Sequence, residues 1–256
     1  TEIYTLSLHD ALPISAALGF GSGRSHGGNA VRIAKVGCGQ TTCRRALSIV
    51  SDAVIQIDRV KEILTTLLSG GICLLPTDTL YGLHASIHCR EAVDRICTLK
   101  AGGENRKFIV LCQLSQAEEL GITLTEHQLR FLRSVWPSPL TAIVRASGST
   151  LFPGGTAAIR HPDHPLWNAL FQQGCPPVVS TSANFPGEPP CSDLSGLPDA
   201  LRKEVDLIVD SGPVTDLRPS TLVDLMEVPP RILRRGKIEF PQNVWKSLWK
   251  SDSGIV

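Results

Sequence analysis

The chain has 256 residues, of which 42% are hydrophobic and 19% charged, with a formal net charge of +1; this suits one large domain, or a domain with an appended segment. No uninterrupted apolar run reaches the roughly 18 residues a spanning helix needs, so no membrane segment is expected and a cytoplasmic protein is. The eight cysteines contain no C-x-x-C pair and several sit in apolar runs, which favours reduced core thiols over zinc or a disulfide framework.

The first fifty residues read differently from the rest. They carry five basic and two acidic side chains, so the remainder is slightly acidic and has no global basic bias. The stretch from Gly19 to Gly28 is glycine-rich and poor in apolar residues, a linker composition. Leu8-His9-Asp10-Ala11-Leu12-Pro13-Ile14 can be encoded by CTACACGACGCTCTTCCGATC, which matches the end of a widely used sequencing adapter read in frame. Residues 1–15 are therefore expected to be adapter read-through, and residues 1–50 as a whole to be non-native or disordered. A targeting peptide is the weaker reading, because the apolar stretches are short and broken. No lysine followed by a helix accompanies the glycines, which argues against a phosphate-cradling loop.

From Ala53 the pattern becomes orderly. Asp58 is placed as the cap of a helix in which Val60, Ile63, Leu64, Leu67 and Leu68 share one face, ending at Gly70-Gly71. Ile72–Leu75 reads as a buried strand stopped by Pro76, followed by a loop and a helix over Glu91–Lys100 that faces Val93, Ile96 and Cys97 inward. Phe108–Leu111 is a second buried strand, with a short helix around Gln116–Leu120. Thr125 and Gln128 form a capping box for a helix through Leu129, Leu132 and Val135. Trp136-Pro137-Ser138-Pro139 breaks that helix. Further strands are expected at Leu140–Val144, Ala157–Arg160, Pro177–Ser180, Leu207–Asp210, Thr221–Asp224 and Arg231–Leu233, with helices at His164–Gln173 and Ser195–Lys203. Strands alternating with helices indicate an α/β domain.

Several of these elements end in groups suited to an anionic, hydroxyl-bearing ligand. The first strand delivers Thr77, Asp78, Thr79 and Tyr81. Lys100 ends a helix, where pairing with the helix dipole accounts for it equally well. Arg160 ends a strand, a position that fits a surface ion pair as well as a clamp. The sharpest signal is Ser180-Thr181-Ser182-Ala183-Asn184. Its hydroxyls, amide and backbone N–H groups can wrap a phosphate or carboxylate, though a helix-capping turn is the competing reading. Arg234-Arg235 adds two guanidinium groups, which prefer planar oxyanions such as phosphate. The histidines show no metal-ligand spacing, so no protein-held metal is expected.

Taken together and in this order, these pieces resemble the YrdC family, the threonylcarbamoyl-AMP synthases. The matching stretches are PTDTLYGL at Pro76–Leu83, the helix-end Lys100, WPSPLT at Trp136–Thr141 and AIRHPDHP at Ala158–Pro165. They continue with STSAN at Ser180–Asn184, PSTLVD at Pro219–Asp224 and ILRRG at Ile232–Gly236. The resemblance covers residues 54–240, leaving 241–256 as a C-terminal tail, and implies the short, single-domain form. It implies a twisted, mixed parallel and antiparallel sheet with flanking helices around a large, positively lined cavity. The implied reaction joins L-threonine, bicarbonate (or CO2) and ATP into threonylcarbamoyl-adenylate and pyrophosphate, with Mg2+ carried on the triphosphate. A downstream tRNA threonylcarbamoyl transferase complex would then modify the adenosine beside the anticodon, and a tRNA contact is among the partners the resemblance implies.

By position, the resemblance gives Thr77, Thr79, Tyr81, Arg160 and Ser220 to threonine. It gives Lys100, Ser182 and Asn184 to the phosphates and carbamate, and Thr141, Ser180 and Arg234 to the nucleotide. The family writes Lys-x-Arg at the helix end, whereas this chain has Lys100-Ala101-Gly102. Arg106 or Lys107 would have to supply the missing charge, or the activity is weak or altered. Two alternatives follow: a related carbamoyl-adenylate-forming activity, or a double-stranded RNA-binding relative with weak or no catalysis.

Overall fold

The computed structural model describes residues 50–100, 108–147 and 151–239. The expectations for residues 1–49, for Gly102, Arg106 and Lys107, and for the 241–256 tail fall outside the described residues. The first elements are α1 (Val50–Leu68), β1 (Cys73–Leu75), β2 (Gly82–Ser86), α2 (Arg90–Leu99), β3 (Ile109–Leu111), β4 (Ile122–Thr123) and α3 (Glu126–Val135). They are followed by β5 (Leu140–Ala146), β6 (Thr156–Arg160), α4 (Pro165–Gln172), β7 (Val178–Ser182), α5 (Asp199–Lys203), β8 (Leu207–Ile208), β9 (Thr221–Asp224) and β10 (Arg231–Arg234).

The strands form one mixed sheet in the order β10-β9-β5-β6-β3-β7-β2-β1-β8, with β4 on the flank of β5. The pairs β1–β8, β3–β6 and β5–β9 are parallel and the remaining pairs antiparallel. Alternation along each strand sorts side chains to the two faces. Leu74, Leu83, Ala85 and Val179 pack with Ala92, Val93 and Ile96 of α2 and Leu201 of α5. On that same face Val110, Ala142, Val144 and Ile159 pack with Phe131 and Leu132 of α3. The opposite face carries Cys73, Leu75, Leu111 and Val178 beneath Val60, Ile63 and Leu67 of α1 and Trp167, Leu170 and Phe171 of α4. Each fully buried Leu, Ile or Phe side chain contributes about 1.5–3 kcal/mol, so the helix-covered part of each face is firmly held.

Several local expectations meet the structure directly. Gly70, at φ +82°, stops α1 in the left-handed region that favours glycine. Thr125 and Gln128 exchange the paired hydrogen bonds of a capping box on α3. Asp58, however, is no cap: α1 begins at Val50, and nothing between Val50 and Ile57 is a Gly or Pro that would stop the helix from extending. The short helix expected near Gln116–Leu120 is a 3-10 turn at Leu114–Gln116.

The largest difference is β2, which the sequence reading treats as part of a loop. Gly-Leu-His-Ala-Ser has no β-branched or aromatic residue, and the one strand signal it does carry, the apolar–polar alternation Leu83-His84-Ala85-Ser86, is short. All five of its residues are buried because β1 and β7 flank it on both sides.

Candidate active site

The pairing of β2 with β7 brings the two hydroxyl-rich stretches together. Gly82 lies opposite Ser182 and His84 opposite Ser180, and the Ala183 amide donates to the Tyr81 carbonyl at 2.9 Å. From there a cross-strand row runs Ser180, Ile109, Ala158, Ile143 over β7, β3, β6 and β5. This row lies on the face that α1 and α4 cover elsewhere, and it floors a cavity of about 340 Å³. Phe108, Ile109, Ile143, Ala158 and Leu222 give the cavity an apolar wall; Thr77, Thr79, Ser180, Ser182, Ser220, Arg160 and Arg234 give it a polar, cationic one. No carboxylate lines it among the described residues. A site of this size and mixed lining suits a small molecule with both a flat apolar part and anionic groups.

At one end, Thr77 folds the turn after β1. Its hydroxyl donates to the Leu80 carbonyl (2.8 Å) and accepts from the amides of Thr79 and Leu80 (3.2 Å each). Thr79 Oγ1 lies 3.0 Å from Thr77 Oγ1 and accepts from Arg160 Nη1 at 3.0 Å. Arg160 Nη2 is paired with Asp78, whose other oxygen accepts from the Asp163 amide at 3.0 Å. The third guanidinium nitrogen, Nε, is buried without a partner. Burial pushes the Arg160 pKa down while Asp78 opposes the shift; guanidinium stays charged throughout the range of interest. Lys237 closes over this end, donating from Nζ to the Asp78 carbonyl at 2.8 Å.

At the other end, Asn184 Oδ1 accepts from Ser182 Oγ (2.6 Å) and from Lys100 Nζ (2.7 Å), and Lys100 also donates to the Asn184 carbonyl. Lys100 caps α2 and is almost wholly buried. Such an ammonium is held in the interior by its hydrogen bonds, those to Asn184 among them. On the third side, Arg234 at the exposed rim donates to the Ser220 carbonyl (3.0 Å) and Ser220 Oγ (3.3 Å), and Ser220 Oγ is 2.7 Å from Thr141 Oγ1.

Most residues singled out from the sequence thus converge: Thr77, Thr79, Tyr81, Arg160, Ser180, Ser182, Ser220 and Arg234 line one cavity, and Lys100 and Asn184 adjoin it through Ser182. Two sit differently from expectation. Thr141 is fully buried behind Ser220 rather than on the cavity wall. Tyr81 lines the cavity, but its hydroxyl donates to the Gly212 carbonyl (2.7 Å) and accepts from the Ser211 amide (2.9 Å). Burial there raises its pKa. The sequence reading overlooked His84, Gly82 and the apolar wall. The period-2 placement of Gly82 and His84 beside Ser182 and Ser180 would have pointed to them once β2 was recognised.

Comparison with known proteins agrees with this geometry. The family model described as Telomere recombination (Sua5/YciO/YrdC) matches residues 65–236. The threonylcarbamoyl-AMP synthase of Bacillus subtilis strain 168 is 32% identical over 173 residues, covering 65% of this chain and 50% of that protein. This chain therefore spans about half the length of that relative. The threonylcarbamoyl-AMP synthase of Vibrio vulnificus strain YJ016 is 27% identical over 187 residues, 70% of this chain and 100% of its own length. Among solved structures, P. abyssi Sua5 complexed with L-threonine superposes with a TM-score of 0.66 at 26% identity, over 74% of this chain and 57% of that one.

Proposed function

The chain belongs to the Sua5/YciO/YrdC family, and from that premise we propose that it is a threonylcarbamoyl-AMP synthase acting in tRNA modification. The observation that carries the reading is the β2–β7 pairing, which brings Thr79 and Ser182 to one cavity lined by cations and hydroxyls, with Asn184 beside it on Ser182. In this reading the amine of threonine attacks CO2 derived from bicarbonate, giving a carbamate. A carbamate oxygen then attacks the α-phosphate of ATP, and pyrophosphate leaves. The chemistry calls for positioning and for stabilisation of charge on phosphoryl oxygens, not for a protein nucleophile.

The residues divide accordingly. Arg160 offers its unpartnered Nε to the threonine carboxylate, Thr77 and Thr79 flank it, Tyr81 contributes its ring, and Ser220 lies near the amino acid. Lys100, Ser182 and Asn184 take the carbamate and phosphate oxygens. Ser180 and Arg234 hold the nucleotide against the apolar wall, with Thr141 holding Ser220 from behind. Mg2+ would enter with ATP, held mainly by the phosphates and water, and would neutralise charge on the phosphoryl oxygens. Arg106 is the candidate for the charge that Gly102 does not provide. The product passes to a transferase complex that modifies tRNA.

The test is pyrophosphate release from ATP, measured with and without threonine and bicarbonate. Release is expected to require both, and Lys100→Ala is expected to lower kcat about 10²–10³-fold, the scale of losing one charge-stabilising donor. No release above background with threonine and bicarbonate present would overturn the reading.

A further inference from the structure

Among the described residues, one fully buried imidazole has no part in the chemistry above. His84 is completely buried in the middle of the sheet. Its register partners are Cys73 on β1 and Ser180 on β7, and its ring lies 4.8 Å from that of Trp167. Trp167 is itself fixed by donating from Nε1 to the Pro76 carbonyl at 2.9 Å. His84 therefore stands where the helix-covered part of the face ends and the open cavity begins, directly behind Ser180.

Two contacts tie the ring to the cavity floor. Nε2 is 3.2 Å from Ser180 Oγ, while Nδ1 has no partner. A Cβ on Gly82, which lines the cavity, would come within 2.8 Å of His84 Cε1 and 3.0 Å of the Thr181 carbonyl. The missing side chain at position 82 is what admits the ring. A buried polar ring with a spare nitrogen is an expensive way to fill space that Leu would fill without penalty. The Ser180 contact is the return on that cost.

We propose that His84 is a positioning residue that holds the Ser180 hydroxyl in one orientation for the nucleotide. This rests on the placement of Ser180 at the nucleotide given above. A Ser–His contact also suggests a nucleophile with its base, but the surroundings oppose that role. No carboxylate orients the ring among the described residues, and burial drives its pKa down to about 3, so the imidazole stays neutral and draws the serine proton only weakly. In either tautomer the ring fixes the hydroxyl on its own side. The remaining hydrogen-bonding capacity of Ser180 Oγ then faces the cavity.

The experiment is a double-mutant cycle on the full chain with His84→Leu, Ser180→Ala and the pair, plus His84→Gln, which can keep a hydrogen-bonding group near Nε2. The readouts are KM for MgATP and kcat from pyrophosphate release, and the dissociation constant for MgATP by calorimetry; thermal melts identify folded samples. His84→Leu and Ser180→Ala are each expected to raise KM and the dissociation constant about five- to tenfold, with kcat within about twofold. The double variant should match Ser180→Ala alone, and His84→Gln should recover most of the loss. Where His84→Leu does not fold, His84→Met takes its place. Multiplying effects in the double variant, or a lowered melting temperature with unchanged nucleotide affinity, would overturn the proposal. If the wild type binds MgATP but releases no pyrophosphate, the synthase reading fails while the binding cycle still decides on His84.

Discussion

Replacing His84 by Gln should make the protein less sensitive to mild acid. Burial holds the imidazole neutral in the folded chain, with a pKa of about 3 against 6.5 for the free group. The cause is loss of hydration, which outweighs the opposing effect of the Cys73 and Gly82 backbone beside the ring, with a smaller contribution in the same downward direction from the positive charge of Arg160. At pH 5 the imidazole of the unfolded chain is protonated and that of the folded chain is not, so the unfolded state binds more protons and stability falls as the solution is acidified. Between pH 7 and pH 5 this one group removes about 2 kcal/mol of unfolding free energy, since each pKa unit is worth about 1.4 kcal/mol. The figure depends on the unfolded pKa and on the folded pKa lying below about 4, so an error of a unit in the folded value scarcely changes it. Urea titrations of both proteins at pH 7 and pH 5 read the quantity directly. His161 and His164 also have burial-lowered pKa values, but they are present in both proteins and cancel in the difference. Wild type should lose about 2 kcal/mol more than His84→Gln over this interval. Equal losses would mean that the ring is hydrated or paired with a carboxylate, and the account of His84 as sealed within the sheet behind Ser180 would be wrong.

Other substitutions separate support from contact with substrate. Asp78→Asn leaves Arg160 buried without its countercharge and should destabilise the protein by about 3–5 kcal/mol in urea titrations; a loss under 1 kcal/mol would show that the pair is solvated. Tyr81→Phe removes the bridge to Ser211 and Gly212. It should cost about 1–3 kcal/mol in stability with KM for threonine unchanged, whereas a large rise in that KM would return the hydroxyl to the substrate. Thr141→Val deletes the partner of Ser220 Oγ; KM for a substrate should rise about three- to tenfold with a smaller change in kcat, and wild-type kinetics would remove Thr141 from the site altogether.

These tests fall where sequence and structure part company, and the division has a physical cause. Helix α3 announces itself within a few residues, because a capping box and a 3.6-residue apolar spacing are local properties. The grouping was legible too: Thr79, Arg160 and Ser182, polar or charged residues picked out from the sequence, line one cavity, and Lys100 and Asn184 adjoin it through Ser182. Direction was not legible. Thr141 and Ser220 are both hydroxyl residues, yet only Ser220 lines the cavity: Thr141 shares the cavity-side face with its register partner Leu222, but Ser220, whose Oγ lies 2.7 Å from Thr141 Oγ1, covers it. Tyr81 looks like a ligand group in its own stretch and is turned away by the segment at Ser211–Gly212, about 130 residues further along the chain. The strand β2 carries this to its limit: Gly82–Ser86 lacks strand-favouring residues and owes its conformation to β1 on one side and β7 on the other. A residue type states what chemistry is possible at a position, but which way the group points is decided by pairing partners far along the chain. The residues that supply those partners, His84 and Asp78 foremost, therefore deserve mutation alongside the groups that touch the substrate.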